Sequence, residues 1–130
     1  MQEAIGHYQR LLEDQVRVLG ADHPDSLRTR NNLAYLLGRA GEVQEAVGQF
    51  GRLLQDQVRV LGPDHPATLR TRNNLASLLG RAGQVQEAVG QFGRLLQDQV
   101  RVLGPDHPDS RTARNNLAHW REMVNHPRGN

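Results

Sequence analysis

The sequence contains no cysteine and no lysine. Without cysteine there are no disulfides, no thiolate zinc sites and no cysteine nucleophile. Aromatic residues make up only 4% of the chain, too few for a set of base-stacking platforms. No apolar run approaches the roughly 20 residues of a membrane-spanning helix. The N-terminal stretch Met1-Gln2-Glu3-Ala4 lacks the basic segment and apolar core of a secretory signal. A cytoplasmic protein with no membrane association is expected. There is no Gly-rich phosphate loop, no HExxH and no nucleophile elbow, so neither an enzyme nor a cofactor is expected.

What is present is arginine, as all 16 basic residues, against 14 acidic ones. The formal charge of +2 is too small to favour nucleic acid, and acids interleave with the arginines, as Asp56 does with Arg52 and Arg59. The Arg, Gly and Ala usage suits a GC-rich bacterial genome. The 130 residues fit one small domain or one short run of repeats.

Self-similarity decides between these. Residues 18–59 recur as 60–101, with five differences in 42 positions: Ala21/Pro63, Asp25/Ala67, Ser26/Thr68, Tyr35/Ser77 and Glu42/Gln84. Residues 1–17 match the second half of the unit, and 102–126 begin by matching its first half. The expected organisation is one repeat domain over 1–130. It holds a half repeat, two full repeats, a second half repeat and a disordered tail at 127–130.

Each unit carries two helical patterns. The first runs from about Pro24 to Arg39, with Leu27, Leu33, Ala34 and Leu37 on one face. The second runs from about Val43 to Leu61, with Val43, Ala46, Val47, Phe50, Leu53, Leu54 and Val58 inward. Pro24 suits a first helical turn, and Gly41 and Gly62 suit helix ends. Short linkers force antiparallel pairs, called here A and B. No window alternates with period two. The expectation is an all-α chain of six helices, in which stacked pairs share a core that one pair cannot bury alone.

The run Asn31-Asn32-Leu33-Ala34, then Arg39-Ala40-Gly41-Glu42-Val43-Gln44-Glu45-Ala46, then Phe50, resembles a tetratricopeptide repeat. The 42-residue period and the Leu-Gly-Pro-Asp-His-Pro linker resemble the longer variant of kinesin light chains. The resemblance covers Met1 to about Ala118. It departs at Arg30, Arg72 and Arg114, where the 34-residue form has a large aromatic. It implies a right-handed α-solenoid whose A helices line a concave groove. It also implies a peptide or protein partner.

Three recurrent features invite functional readings. Asp22-His23-Pro24 returns at 64–66 and 106–108. With no further ligand at helical spacing, it reads as a device that ties off helix B and caps helix A, and no metal is expected. The pairs Asn31/Asn32, Asn73/Asn74 and Asn115/Asn116 sit mid-helix, where asparagine has no propensity advantage. They either bind a ligand backbone in the groove, since a carboxamide both donates and accepts, or bond one A helix to the next. Arg28, Tyr35, Arg39, Arg70, Ser77, Arg81 and His119 complete the candidate groove set. The mid-helix glycines Gly48, Gly51, Gly90 and Gly93 read as drift tolerated by packing, or else as close helix approach.

The ends suggest a second activity. An unpaired B half and an unpaired A half would expose Ile5, Tyr8 and Leu12 at the start, and Leu117, Trp120 and Val124 at the end. Arg111 and Arg121 replace Leu69 and Leu79 and cap part of that surface. A homo-oligomer through these residues is the alternative function.

Overall fold

A computed structural model describes residues 1–126. The expected tail at 127–130 lies outside the described residues. The six helices are α1 (Gln2–Leu19), α2 (Pro24–Arg39), α3 (Val43–Leu61), α4 (Pro66–Arg81), α5 (Val85–Leu103) and α6 (Pro108–Asn125). The described residues contain no strand. None of these helices is long and apolar enough to cross a membrane. The chain groups into two compact units, one over Met1–Pro63 and one from Asp64 onward. In the first, α2 packs on both α1 and α3; in the second, α5 packs on both α4 and α6.

The A helices α2, α4 and α6 begin identically. A histidine in extended conformation occupies the N-cap, and its Nδ1 accepts the backbone N–H two residues on, at 3.0 Å, for His23, His65 and His107. Proline follows at the first turn, where its missing N–H costs nothing. Ser26 and Ser110 are buried and donate at 2.8 Å to the carbonyls of Gly20 and Gly104. Those carbonyls end the preceding B-type helix. Gly20, Gly62 and Gly104 adopt φ of 93–96° with ψ of 157–158°, a region that only glycine enters without strain. The α1–α2 and α5–α6 linkers are therefore fixed joints.

The cores follow the helical stripes. Leu27, Leu33, Ala34, Ala46, Phe50 and Leu53 are buried in the first unit. Leu69, Ala76, Phe92, Leu95, Ala113 and Leu117 form one cluster in the second, with Trp120 packed against it. Val58, expected inward, is 43% exposed, because the inward stripe at the end of α3 passes through Gln57 instead. The Oε1 atoms of Gln57 and Gln99, both in buried side chains, find no hydrogen-bond partner among the described residues.

The terminal helices correct the sequence reading. Ile5 and Leu117, expected to be exposed, are 5% and 6% accessible. Each terminal helix keeps one of the two faces an internal helix buries: α1 turns Ile5 onto α2, and α6 turns Leu117 into the cluster with α5. Tyr8, Leu12 and Val124 are half-buried. Trp120 is half-buried too, and its indole lies so close to Gly80 of α4 that a Cβ there would sit 2.6 Å from the ring. The apolar residues that the terminal helices expose include Leu11, 36% accessible, and Ala118, whereas Leu53, Leu95, Ala34 and Ala76 at the matching internal positions are 0% accessible.

Candidate protein-binding face

The polar side of the A helices holds the predicted groove residues. On α2, Arg28, Tyr35 and Arg39 are exposed, and Asn31 and Asn32 are half-buried between them. Arg28 reaches back to Asp25 at 3.4 Å. Arg39 donates to the Tyr35 hydroxyl at 3.1 Å and places its guanidinium carbon 5.8 Å from the ring centroid, a cation–π contact one helical turn long. On α4, Arg70 and Arg81 are exposed, and Asn73, Asn74 and Ser77 are half-buried. On α6, Asn115 and His119 are exposed, Asn116 is half-buried, and the His119 ring stands edge-on to Trp120 at 4.7 Å.

The second unit shows what one asparagine of a pair does. Asn116 of α6 donates from Nδ2 to Oδ1 of Asn73 on α4, at 3.1 Å. The A helices α4 and α6 are thus tied by a carboxamide bond, as one of the two readings of the asparagines anticipated. The bond uses one donor of Asn116 and one acceptor of Asn73. Asn115, next in the helix, faces solvent.

Sequence reasoning missed the ion-pair lattice behind this face. Arg30 of α2 meets Asp56 of α3 at 2.7 Å, and Arg72 of α4 meets Asp98 of α5 at 2.8 Å. The arginines that replace the usual aromatic are therefore only about one-fifth exposed and tie each A helix to its B helix. At the opposite corner, Arg59 near the end of α3 donates twice to Asp22, at 2.9 and 3.0 Å, and also reaches Asp56. Arg101 repeats this with Asp64 and Asp98. The Asp-His-Pro aspartate therefore ties down the B helix that follows it. The Arg30 guanidinium holds the Asp56 carboxyl below the usual carboxylate range, as Arg72 does for Asp98, Arg59 for Asp22 and Arg101 for Asp64. The missed signal was a spacing: arginine to aspartate over 26 and 37 residues, repeated in phase.

No group of three or more possible metal-ligating side chains occurs among the described residues. Gly48, Gly51, Gly90 and Gly93 show no close helix approach: a Cβ at Gly51 or Gly93 would meet nothing within 4 Å, and at Gly48 or Gly90 it would meet only the guanidinium one turn on.

A family model for the tetratricopeptide repeat matches residues 1–57 and 31–97. No curated protein matches the chain. Among solved structures it is similar to a candidate kinesin light chain of Podosopora anserina with nearly identical TPR-like repeats. The likeness has 29% identity and a TM-score of 0.85, over 95% of this chain and 59% of that one. A single-residue variant of that protein gives 31% identity, a TM-score of 0.84 and coverage of 95% and 58%. BtubC (BKLC) from P. vanneervenii shares the fold at a TM-score of 0.85 and 20% identity, over 95% of this chain and 50% of that one. The chain thus spans between half and three-fifths of these proteins' length.

Proposed function

The chain belongs to the tetratricopeptide repeat family, whose repeats generally mediate protein–protein interaction, and from that premise we propose that it is a non-enzymatic scaffold binding an extended peptide segment of a partner protein along its A helices. The reading is supported above all by the recurrent carboxamides of α2, α4 and α6. After tying helix to helix, Asn73 and Asn116 keep a donor and an acceptor, and Asn32 and Asn115 add more. A peptide backbone offers alternating N–H and C=O groups, so the carboxamides on each unit's A helices engage it without demanding particular side chains. Arg28 and Arg39 flank those of α2, and Arg70 and Arg81 those of α4; they favour acidic side chains on the ligand. Tyr35, His119 and Ser77 at one repeat position vary the surface from unit to unit and would set specificity.

Selection of binders from a random peptide display library tests this. Selected peptides are expected to carry acidic residues and to lose about 1–3 kcal/mol of affinity for Asn32→Ala or Asn115→Ala chains, as a ligand group loses its hydrogen-bond partner. Both variants should keep the parent melting temperature. Undiminished affinity in both would assign the asparagines to the architecture alone.

A further inference from the structure

The A helices share their histidine caps but open with different charges on the polar side. Residues three apart share one helix face, and in α2 Asp25 and Arg28 use it to pair at 3.4 Å. The opening of α2 is therefore neutral. In α4 the same two positions are Ala67 and Arg70, so Arg70 has no acid one turn before it and the opening is cationic. In α6 they are Asp109 and Thr112, so Asp109 has no arginine one turn after it and the opening is anionic. Arg70 and Thr112 are exposed, and Asp109 is half-buried. At about 100° per residue, Arg111 and Arg114 project from the other side of α6. Arg114 is held there by the Pro105 carbonyl at 3.2 Å.

The cationic and anionic openings belong to one compact unit. Both α4 and α6 pack on α5, and the Asn116–Asn73 bond of 3.1 Å ties them side by side. That bond also sets their register. Asn116 holds the repeat position of Asn74, one residue from Asn73, so the two helices run nearly level. Arg70 and Asp109 therefore stand on one polar face, at the same end, on adjacent helices. A chain crossing from α4 to α6 at that end meets a positive group and then a negative one.

We propose that the peptide bound on this unit carries an acidic side chain at Arg70 and a basic side chain at Asp109. The proposal rests on the peptide-binding reading above and adds a charge order to it. Packed helices lie about 8–10 Å apart, and an extended chain advances about 3.3 Å per residue. The two charges of the ligand are therefore about two or three residues apart. Asp109 is a specificity-determining residue: it attracts the basic side chain and rejects a uniformly acidic ligand.

Selection from a random peptide display library against the full chain tests this. Peptides selected on the parent should pair an acidic residue with a basic one about two or three positions away. They should lose about tenfold in affinity when the basic residue becomes alanine. Asp109→Ala removes the carboxylate and copies what α4 has at Ala67. Thr112→Arg keeps the carboxylate and gives it the partner that Asp25 has in Arg28. The cap is accepted from a backbone N–H, so both variants keep it, and their circular dichroism melts should stay close to the parent. Each should bind a parent-selected peptide and its alanine version equally well, while Arg70→Gln should weaken the preference for the acidic residue. Peptides that bind the parent through acidic residues alone overturn the proposal and leave the peptide-binding reading standing. So does a preference for the basic residue that survives both Asp109→Ala and Thr112→Arg. A library that yields no binder at all overturns both.

Discussion

Single residues carry opposite messages at positions that look alike in the sequence. Gly62 and Gly80 are both required, the first by its φ of 96° and the second by the Trp120 indole against it. Gly51 and Gly93 are required by nothing. They lie mid-helix with ordinary helical backbone, and a methyl group there would enter open space. Alanine lowers the entropy of the unfolded chain and favours the helix, so Gly51→Ala and Gly93→Ala should each stabilise by about 1 kcal/mol. Chemical denaturation reads this directly, and a double variant should show the two effects adding. A loss of stability in either would mean that the site is crowded after all. The sequence could place these glycines in a helix, but it could not tell them from Gly80. That difference lies in a side chain 40 residues away.

Helices were the most legible level. Capping residues, prolines, glycines and the 3.6-residue period are local signals, and all six helices stand where these put them. The pairing of residues across helices was less legible, since it depends on the phase of two helices at once. Arg30 read as a departure from the family pattern and turns out to hold Asp56 at 2.7 Å. This lattice makes a prediction about acid. Asp22, Asp56, Asp64 and Asp98 all have carboxyl pKa values held below the ordinary 3.8 by arginine hydrogen bonds. A carboxyl depressed in the folded state binds its proton more readily in the unfolded one. The stability it confers is therefore fully present above about pH 4 and is lost as the pH falls through the folded-state value. Melting temperature should stay flat from neutrality to about pH 5 and drop below pH 4. In an Asp56→Asn, Asp98→Asn double variant the melting temperature should be lower at neutrality and the acid drop smaller, because those two carboxyls no longer titrate. An unchanged acid profile would show that the lattice adds nothing, as many exposed ion pairs do.

At the scale of the whole molecule, the period matters more than any one contact. Residues 18–59 and 60–101 repeat the same caps, the same linker glycine and the same arginine–aspartate spacings. In such a chain stability is close to a sum of unit and nearest-neighbour contributions. The candidate binding residues obey the same arithmetic: Asn31, Asn73 and Asn115 are 42 residues apart. The sequence showed that recurrence plainly, while the Asn116–Asn73 bond needed coordinates, because only they say which of two adjacent amides faces the neighbouring helix. Inserting a further copy of 18–59 after Arg59 keeps every apolar stripe and every ion pair in phase. The longer chain should fold, gain helical signal in proportion to the added residues, and melt at a higher temperature. Inserting only 18–39, the A half, breaks the alternation and leaves one helix without the arginine–aspartate partner its position requires. That chain should melt lower than the parent or fail to fold. Circular dichroism melts of the two insertions decide the matter. A half-unit chain as stable as the full-unit chain would mean that helices add one at a time, and that the 42-residue pair is not the cooperative element.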